Sequence, residues 1–356
     1  MTLEAVKKGT QSYLNTLRHI DTATRNTTPL FNPKFDKDLV YSSPSLTMTT
    51  STANLKSRMF GSLYGLAVGD AMGAPYEFRS RDSYKYTTEM EYCKTFNLPA
   101  GSWTDDTSMM LCIAASLVKN GDLDWKDVAG NFVNWYRKGM SRKRLGVTKH
   151  IGLRCGRFLI GYMSVNGTCF DIGNGIRSAL VTWISKMDHK LPLPTLPNEN
   201  RGANTSGNGS IMRLSPIPIF FWRESATVIL YKVALSSRIT HSSALSLDGC
   251  MLMAAYLIRF IRATDDTTPW SRKQTVMHPS TGLLGTSGTV MSLPLETDEI
   301  KEIHLQASYK TKDRSQIKTS GFVVHTLEAA LWALWRANSF EEVCKSHKAP
   351  HNIVTD

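Results

Sequence analysis

The sequence predicts an all-α fold, and three observations lead there. Apolar residues recur at helical spacing in several long runs, long stretches of strict apolar–polar alternation are absent, and glycine or proline punctuates the ends of the runs. At 356 residues the chain can build a substantial core, and 42% hydrophobic with 20% charged residues is an ordinary globular balance.

Residues 1–55 read as a mobile N-terminal extension. Leu3, Val6, Tyr13, Leu14, Leu17 and Ile20 can line one side of a short helix, and the Ser/Thr-rich stretch from Tyr41 to Thr52 has little to bury. The first residues lack the apolar core of a secretory signal, and the early acids Glu4 and Asp21 argue against a transit peptide. The folded domain is expected over residues 56–343. It opens with a helix in which Gly61, Gly65, Gly69 and Gly73 recur at every fourth position. The first three form a stripe without side chains, against which another helix can pack closely. Each costs up to about 1 kcal/mol of helix propensity that packing must offset. Gly73-Ala74-Pro75 ends this helix.

Trp103-Thr104-Asp105-Asp106-Thr107 comes next, leading into an apolar run from Met109 to Val118 that stops at Asn120-Gly121. Thr and Asp suit a helix N-cap, because their oxygens accept the unpaired amides of the first turn. One carboxylate satisfies that role, so the second is surplus and is held against like-charge repulsion. A hard divalent cation such as Mg2+ would relieve it. The same letters at Asp265-Asp266-Thr267 read as a solvated loop.

Leu123, Val128, Phe132, Val133, Trp135 and Tyr136 mark a third, amphipathic helix, and the basic cluster from Arg137 to Arg144 suits the negative end of its dipole. A helix is expected from Gly175 onward, a proline-rich loop at 191–197, a long helix from Ser243 to Ile261 and a core helix within 321–336. Residues 263–319 are polar, Thr/Ser-rich and patternless, which predicts an exposed insertion.

No apolar stretch stands out as long enough to cross a bilayer, which argues against a membrane role. The net charge of +12 raises nucleic-acid binding as an option. The positive residues are not gathered in one arm, however, and a small polyanion such as a pyrophosphate would gain from the same field, so nucleic acid ranks low. Cys93, Cys112, Cys155, Cys169, Cys250 and Cys344 are scattered with no Cys-x-x-Cys pair, which argues against a zinc ribbon and fits a reducing, cytoplasmic setting.

Several polar elements sit at helix edges. Asp70 and Glu77 flank the end of the glycine helix, where a lone glutamate is ordinarily just solvated. Gly207-Asn208-Gly209-Ser210-Ile211-Met212-Arg213 is a turn whose exposed amides can cradle a phosphate or ribose, or simply reverse the chain. His241 precedes the long helix and reads as either a cap-adjacent core residue or a functional one.

Taken together and in order, these segments resemble one family. Gly65-Leu-Ala-Val-Gly-Asp-Ala-Met-Gly-Ala-Pro-Tyr-Glu-Phe78, Trp103-Thr-Asp-Asp-Thr-Ser-Met109, Phe170-Asp-Ile-Gly-Asn174, the Gly207–Arg213 turn and Thr240-His241-Ser242 are similar to the ADP-ribosylglycohydrolases, a family that includes dinitrogenase reductase-activating glycohydrolases and ADP-ribosyl-acceptor hydrolases. The resemblance implies a compact all-α domain with a binuclear Mg2+ centre, Mn2+ in some members, that hydrolyses the bond from ADP-ribose C1″ to an acceptor. By that resemblance Thr104, Asp105 and Asp106 are metal ligands, Asp106 being catalytic as well. Glu77, on a mobile loop, contacts the metal or acts as acid/base. Gly207, Asn208, Gly209, Ser210 and Met212 hold the ribose and diphosphate, and His241 walls the site. The implied partners are ADP-ribose or an ADP-ribosylated protein or small molecule, bound by a monomer.

The chain departs from the family pattern after Val343. Members continue with another helix and a Gly-Gly-Asp-Ala-Asp-Thr-type segment that supplies the remaining ligands of both metals. Residues 344–356 contain no Asp-x-Asp-Thr and read as a non-family tail. The expectation is therefore a domain without its last helices and an impaired ADP-ribosyl hydrolase; the alternative is a catalytically inactive ADP-ribose-binding protein.

Overall fold

The computed structural model describes residues 52–84, 89–138, 168–193, 197, 206–265, 268–278 and 293–345. Most of the expected N-terminal extension, all but two residues of the tail, and the greater part of the basic cluster lie outside the described residues. Among those residues the fold is all-α, as the sequence predicts: the pairing of extended chain is limited to two isolated bridges, Cys93 with Leu98 and Gly207 with Phe322.

The glycine helix α1 (Thr52–Gly73) ends in a 3-10 turn at Ala74–Tyr76, where the proline blocks further α-helix. Helix α2 (Asp105–Asn120) stops at Gly121, whose left-handed φ of 68° lets its N–H reach the Leu117 carbonyl at 2.9 Å. Helices α3 (Trp125–Lys138) and α4 (Asn174–Asp188) follow. They pack through Trp125 and Trp183, whose ring centroids are 5.4 Å apart. A short helix α5 (Pro216–Phe220) and α6 (Ala226–Ser237) lead to α7 (Ala244–Arg262), whose N-cap Ser243 accepts the Ser246 amide at 3.2 Å.

Helix α7 is the axis of the fold, flanked by α1, α5, α6, the short helices α8 (Pro269–Val276) and α9 (Asp298–Gln306), and α10 (Val323–Arg336). The chain described here ends with α11 (Phe340–Lys345). In one respect the sequence expectation needs correcting. Helix α7 is by length and composition apolar enough to span a bilayer, and it reads that way because more than half of it is buried in this core. Fully burying each of its large apolar side chains, such as Leu252, Tyr256 and Ile258, contributes about 1.5–3 kcal/mol.

The segment expected as an exposed insertion at 263–319 also differs. Where it is described, it forms α8 and α9 and buries Val276, Met277, Ile300, Ile303, Tyr309 and Ile317. Asp248 of α7 anchors it by accepting the amides of Glu296 and Thr297 at 2.8 and 2.7 Å. Helices this short carry only one or two turns of apolar spacing, too little for a period to register. Asp265, expected in a solvated loop, instead pairs with Arg58 of α1, while Asp266 and Thr267 lie outside the described residues.

The glycine stripe of α1 also behaves differently from the expectation. No described helix lies on Gly61, and Gly65 meets only the ring edge of Phe340, 3.7 Å from its Cβ position. The stripe lines one wall of a largely apolar groove of about 840 Å3, faced by Leu257 and Phe260 of α7 and by Leu327 and Leu334 of α10. Asp106 and Met212 also line it.

Candidate functional site

Thr104 occupies the N-cap position of α2, yet its hydroxyl makes no capping bond to its own helix. It donates instead to Asp70 Oδ1 at 2.8 Å. Asp70, from the last turn of α1, takes over the cap. It accepts the Thr104 amide at 2.8 Å and the Thr107 amide and hydroxyl at 3.0 and 2.6 Å. Burial raises this carboxyl to about 6, against the opposing pull of the hydrogen bonds from Thr107 and Thr104. The capping work is thus done from another helix, and Asp105 and Asp106 are spared it, although both are buried.

The result is a concentration of acid. Burial pushes the Asp105 carboxyl well above its usual value, and the negative charges of Asp171, Asp106, Glu77 and Asp70 push it further. Glu77 itself is 2% exposed and follows the 3-10 turn directly. Asp171 enters from the loop before α4 with a left-handed φ of 48°.

The Gly207 turn forms a short 3-10 element at Asn208–Ser210. It is pinned to the start of α10: Asn208 N–H donates to the Gly321 carbonyl at 2.9 Å, Val323 N–H to the Ser206 carbonyl at 2.9 Å, and Asn208 Nδ2 to Thr326 Oγ1 at 3.1 Å. Gly209 has no room for a side chain. An added Cβ would sit 2.8 Å from Ile176 Cδ1 and 2.9 Å from His241 Cε1. His241 lies against this turn, with Nε2 3.4 Å from the Cβ position of Gly207. The Ser210 hydroxyl accepts from Cys250 Sγ at 3.3 Å and so faces the core.

Behind the turn lies Arg213, fully buried under the motif it ends. Its guanidinium stacks over Phe132 at 4.6 Å and donates to Thr240 Oγ1 at 2.7 Å, and that hydroxyl is 2.7 Å from His241 Nδ1. Burial lowers Arg213 to about 10. His241 is held down to about 3, first by burial and then by the Arg213 charge, so its ring is neutral at physiological pH.

The structure thus brings Thr104, Asp105, Asp106 and Glu77 into one acidic site, and His241 against Gly207 and Gly209. Sequence reasoning had not given functional roles to Asp70, Thr107, Asp171 or Arg213. Asp70 and Asp171 sat inside quoted motifs; what they do depends on contacts across the chain, which spacing alone does not reveal. All-oxygen, anionic donors under mutual repulsion have the right chemistry for a hard divalent cation. The set is incomplete in number, since among the described residues no three His, Cys, Asp or Glu side chains are arranged to hold a metal ion.

Comparison with known proteins places the chain among relatives. The family model described as ADP-ribosylglycohydrolase matches residues 51–346. The ADP-ribosylarginine hydrolase Tri1 of Pseudomonas putida is 35% identical over 285 residues, covering 80% of this chain and 63% of that protein. The ADP-ribosyl-[dinitrogen reductase] glycohydrolase of Rhodospirillum rubrum is 27% identical over 204 residues, 56% of each chain. A solved ADP-ribosylglycohydrolase-related protein complex shares the fold, with a TM-score of 0.59 at 23% identity over 85% of this chain and 84% of that one. The chain spans just under two thirds of the length of the Tri1 relatives. It belongs to the ADP-ribosylglycohydrolase family.

Proposed function

We propose that this chain carries the catalytic face of a hydrolase that removes ADP-ribose from an acceptor side chain, and that the acceptor is arginine. The observation that carries the reading is the acidic group at the start of α2, the buried Glu77, Asp105 and Asp106 with the half-buried Asp171, in a chain of this family whose Asp106 shares a groove with Ile211 and Met212 of the glycine turn. The arginine acceptor is argued from the names of the two Tri1 relatives, both ADP-ribosylarginine hydrolases, at 35% and 32% identity.

In this reaction a water oxygen forms a bond to C1″, the C1″–N bond breaks, and a proton passes from the water to the leaving guanidino nitrogen. Glu77, the carboxylate placed next to an exposed loop, holds and transfers that proton. The Gly207–Met212 turn binds the ribose and diphosphate, with its small residues letting the ligand approach the backbone and His241 closing one wall. Mg2+ belongs to the proposal, with Mn2+ as substitute: when bound it supplies Lewis-acid polarisation. Thr104, Asp105 and Asp106 would hold it.

The test is to incubate the protein with an arginine-ADP-ribosylated protein and measure free ADP-ribose with Mg2+ and with chelator. Release that chelator abolishes is the expected result; no release at any metal concentration overturns it. The incomplete donor set favours a second reading, an ADP-ribose-binding protein without turnover. Calorimetry separates the two, because binding of ADP-ribose that is indifferent to Mg2+, without hydrolysis, selects the second.

A further inference from the structure

At 73% exposure Phe78 is the most exposed large apolar side chain among the described residues, and it stands directly after the buried Glu77. Its φ of 60° is left-handed, a conformation that costs a bulky side chain energy and survives where the surroundings require it. The ring is not isolated. Its centroid lies 6.3 Å from Phe96 in an edge-on contact, and Phe96 lies 5.7 Å from Phe170. Phe170 is in turn the residue before Asp171, whose φ of 48° is also left-handed. Two of the carboxylates whose charges bear on Asp105 are thus each next in sequence to an end of one aromatic ladder. Phe96 and Phe170 are packed on a small satellite core of Ala74, Cys93 and Leu98, which fixes the ladder to the end of α1.

We propose that Phe78 is a specificity-determining residue that receives the acceptor guanidinium of the substrate on its ring face. The inference rests on the arginine-acceptor reading above. Charge and shape both favour it. Glu77 and Asp171, adjoining the two ends of the aromatic ladder in sequence, attract a cationic acceptor. A flat guanidinium is matched by the face of an aromatic ring, and that attraction persists at a partly exposed site where a plain salt bridge is screened. The left-handed backbone at Phe78 presents the ring to solvent as a ledge, next in sequence to Glu77.

The experiment compares wild type with Phe78→Ala and Phe78→Trp in the full chain. The supporting result is a KM for ADP-ribosylarginine raised about three- to tenfold in Phe78→Ala, with the Kd for free ADP-ribose unchanged and the KM of Phe78→Trp at or below wild type. An unchanged KM in Phe78→Ala overturns the proposal while leaving the hydrolase reading intact. So does an equal loss of affinity for ADP-ribose, which would assign the ring to the nucleotide. If wild type releases nothing from ADP-ribosylarginine, the hydrolase reading fails separately, and the ledge is judged by titrating agmatine into the protein by NMR. Agmatine binding that Phe78→Ala removes supports the ledge, and wild type that binds none overturns it. Melting temperature and circular dichroism of the variants should match wild type, because the side chain is mostly in solvent.

Discussion

Asp70 Oδ2 accepts both the amide and the hydroxyl of Thr107, at 3.0 and 2.6 Å, from 37 residues away in the sequence. The first turn of α2 is therefore held by α1 and not by the acidic pair before Thr107. Asp70→Asn should be costly, since an amide nitrogen would replace one acceptor facing four donors. A loss of about 2–4 kcal/mol is expected in denaturant unfolding, together with lost Mg2+-dependent turnover. A stability change under 1 kcal/mol, to within about 0.5, would show that the turn holds itself.

Asp105 should behave in the opposite way. Its carboxyl is driven up by burial and by its acidic neighbours, so the metal-free fold carries a repulsion that Asp105→Asn removes. The metal-free variant should gain about 1 kcal/mol of stability. Asp105→Ala combined with Asp106→Ala should abolish metal-dependent release of ADP-ribose. Isothermal titration with Mg2+ and a melting curve check both arms, and turnover that survives the double substitution removes these residues from the site.

Gly209→Ala probes the turn. The new methyl would press on the ends of the Ile176 and His241 side chains, which can yield only by moving the wall of the site. The expected cost is about 1–2 kcal/mol in stability. ADP-ribose affinity should fall well beyond what that loss of folded protein explains, as calorimetry on the folded fraction would measure.

His241 predicts an acid sensitivity. Its folded value of about 3 lies below the ordinary 6.5, so the unfolded chain binds the extra proton between those limits. Stability is therefore fully present above pH 6.5 and falls as pH drops toward 3. Between pH 7 and pH 5 this one group should cost about 2 kcal/mol. His241→Gln should flatten that part of the urea-midpoint profile. An unchanged slope would mean the ring takes up its proton in the fold.

The elements that were legible in the sequence are those with long apolar periods or clear stops. Helix α1 ends where Gly73-Ala74-Pro75 says it must, α2 stops at Gly121, and α7 begins at the Ser243 cap. Helices α8 and α9 were illegible, because helices of 8 and 9 residues show too few apolar positions to establish a period. The ordered motifs were enough to assign the family, and they named Glu77, Asp105, Asp106, Gly209 and His241 as parts of one site.

Only the tertiary structure decided how those parts are held and charged. That the cap of α2 comes from Asp70 is a contact between helices, and no local pattern encodes it. The pressure on Asp105 is likewise the sum of burial and of charges arriving from three other segments. The neutral state of His241 follows from its burial and from an arginine that reaches it through Thr240. Residue type and local spacing determine the helices and the chemical groups on offer. Burial and charge depend on what the rest of the chain brings alongside, and that is settled only when the helices pack.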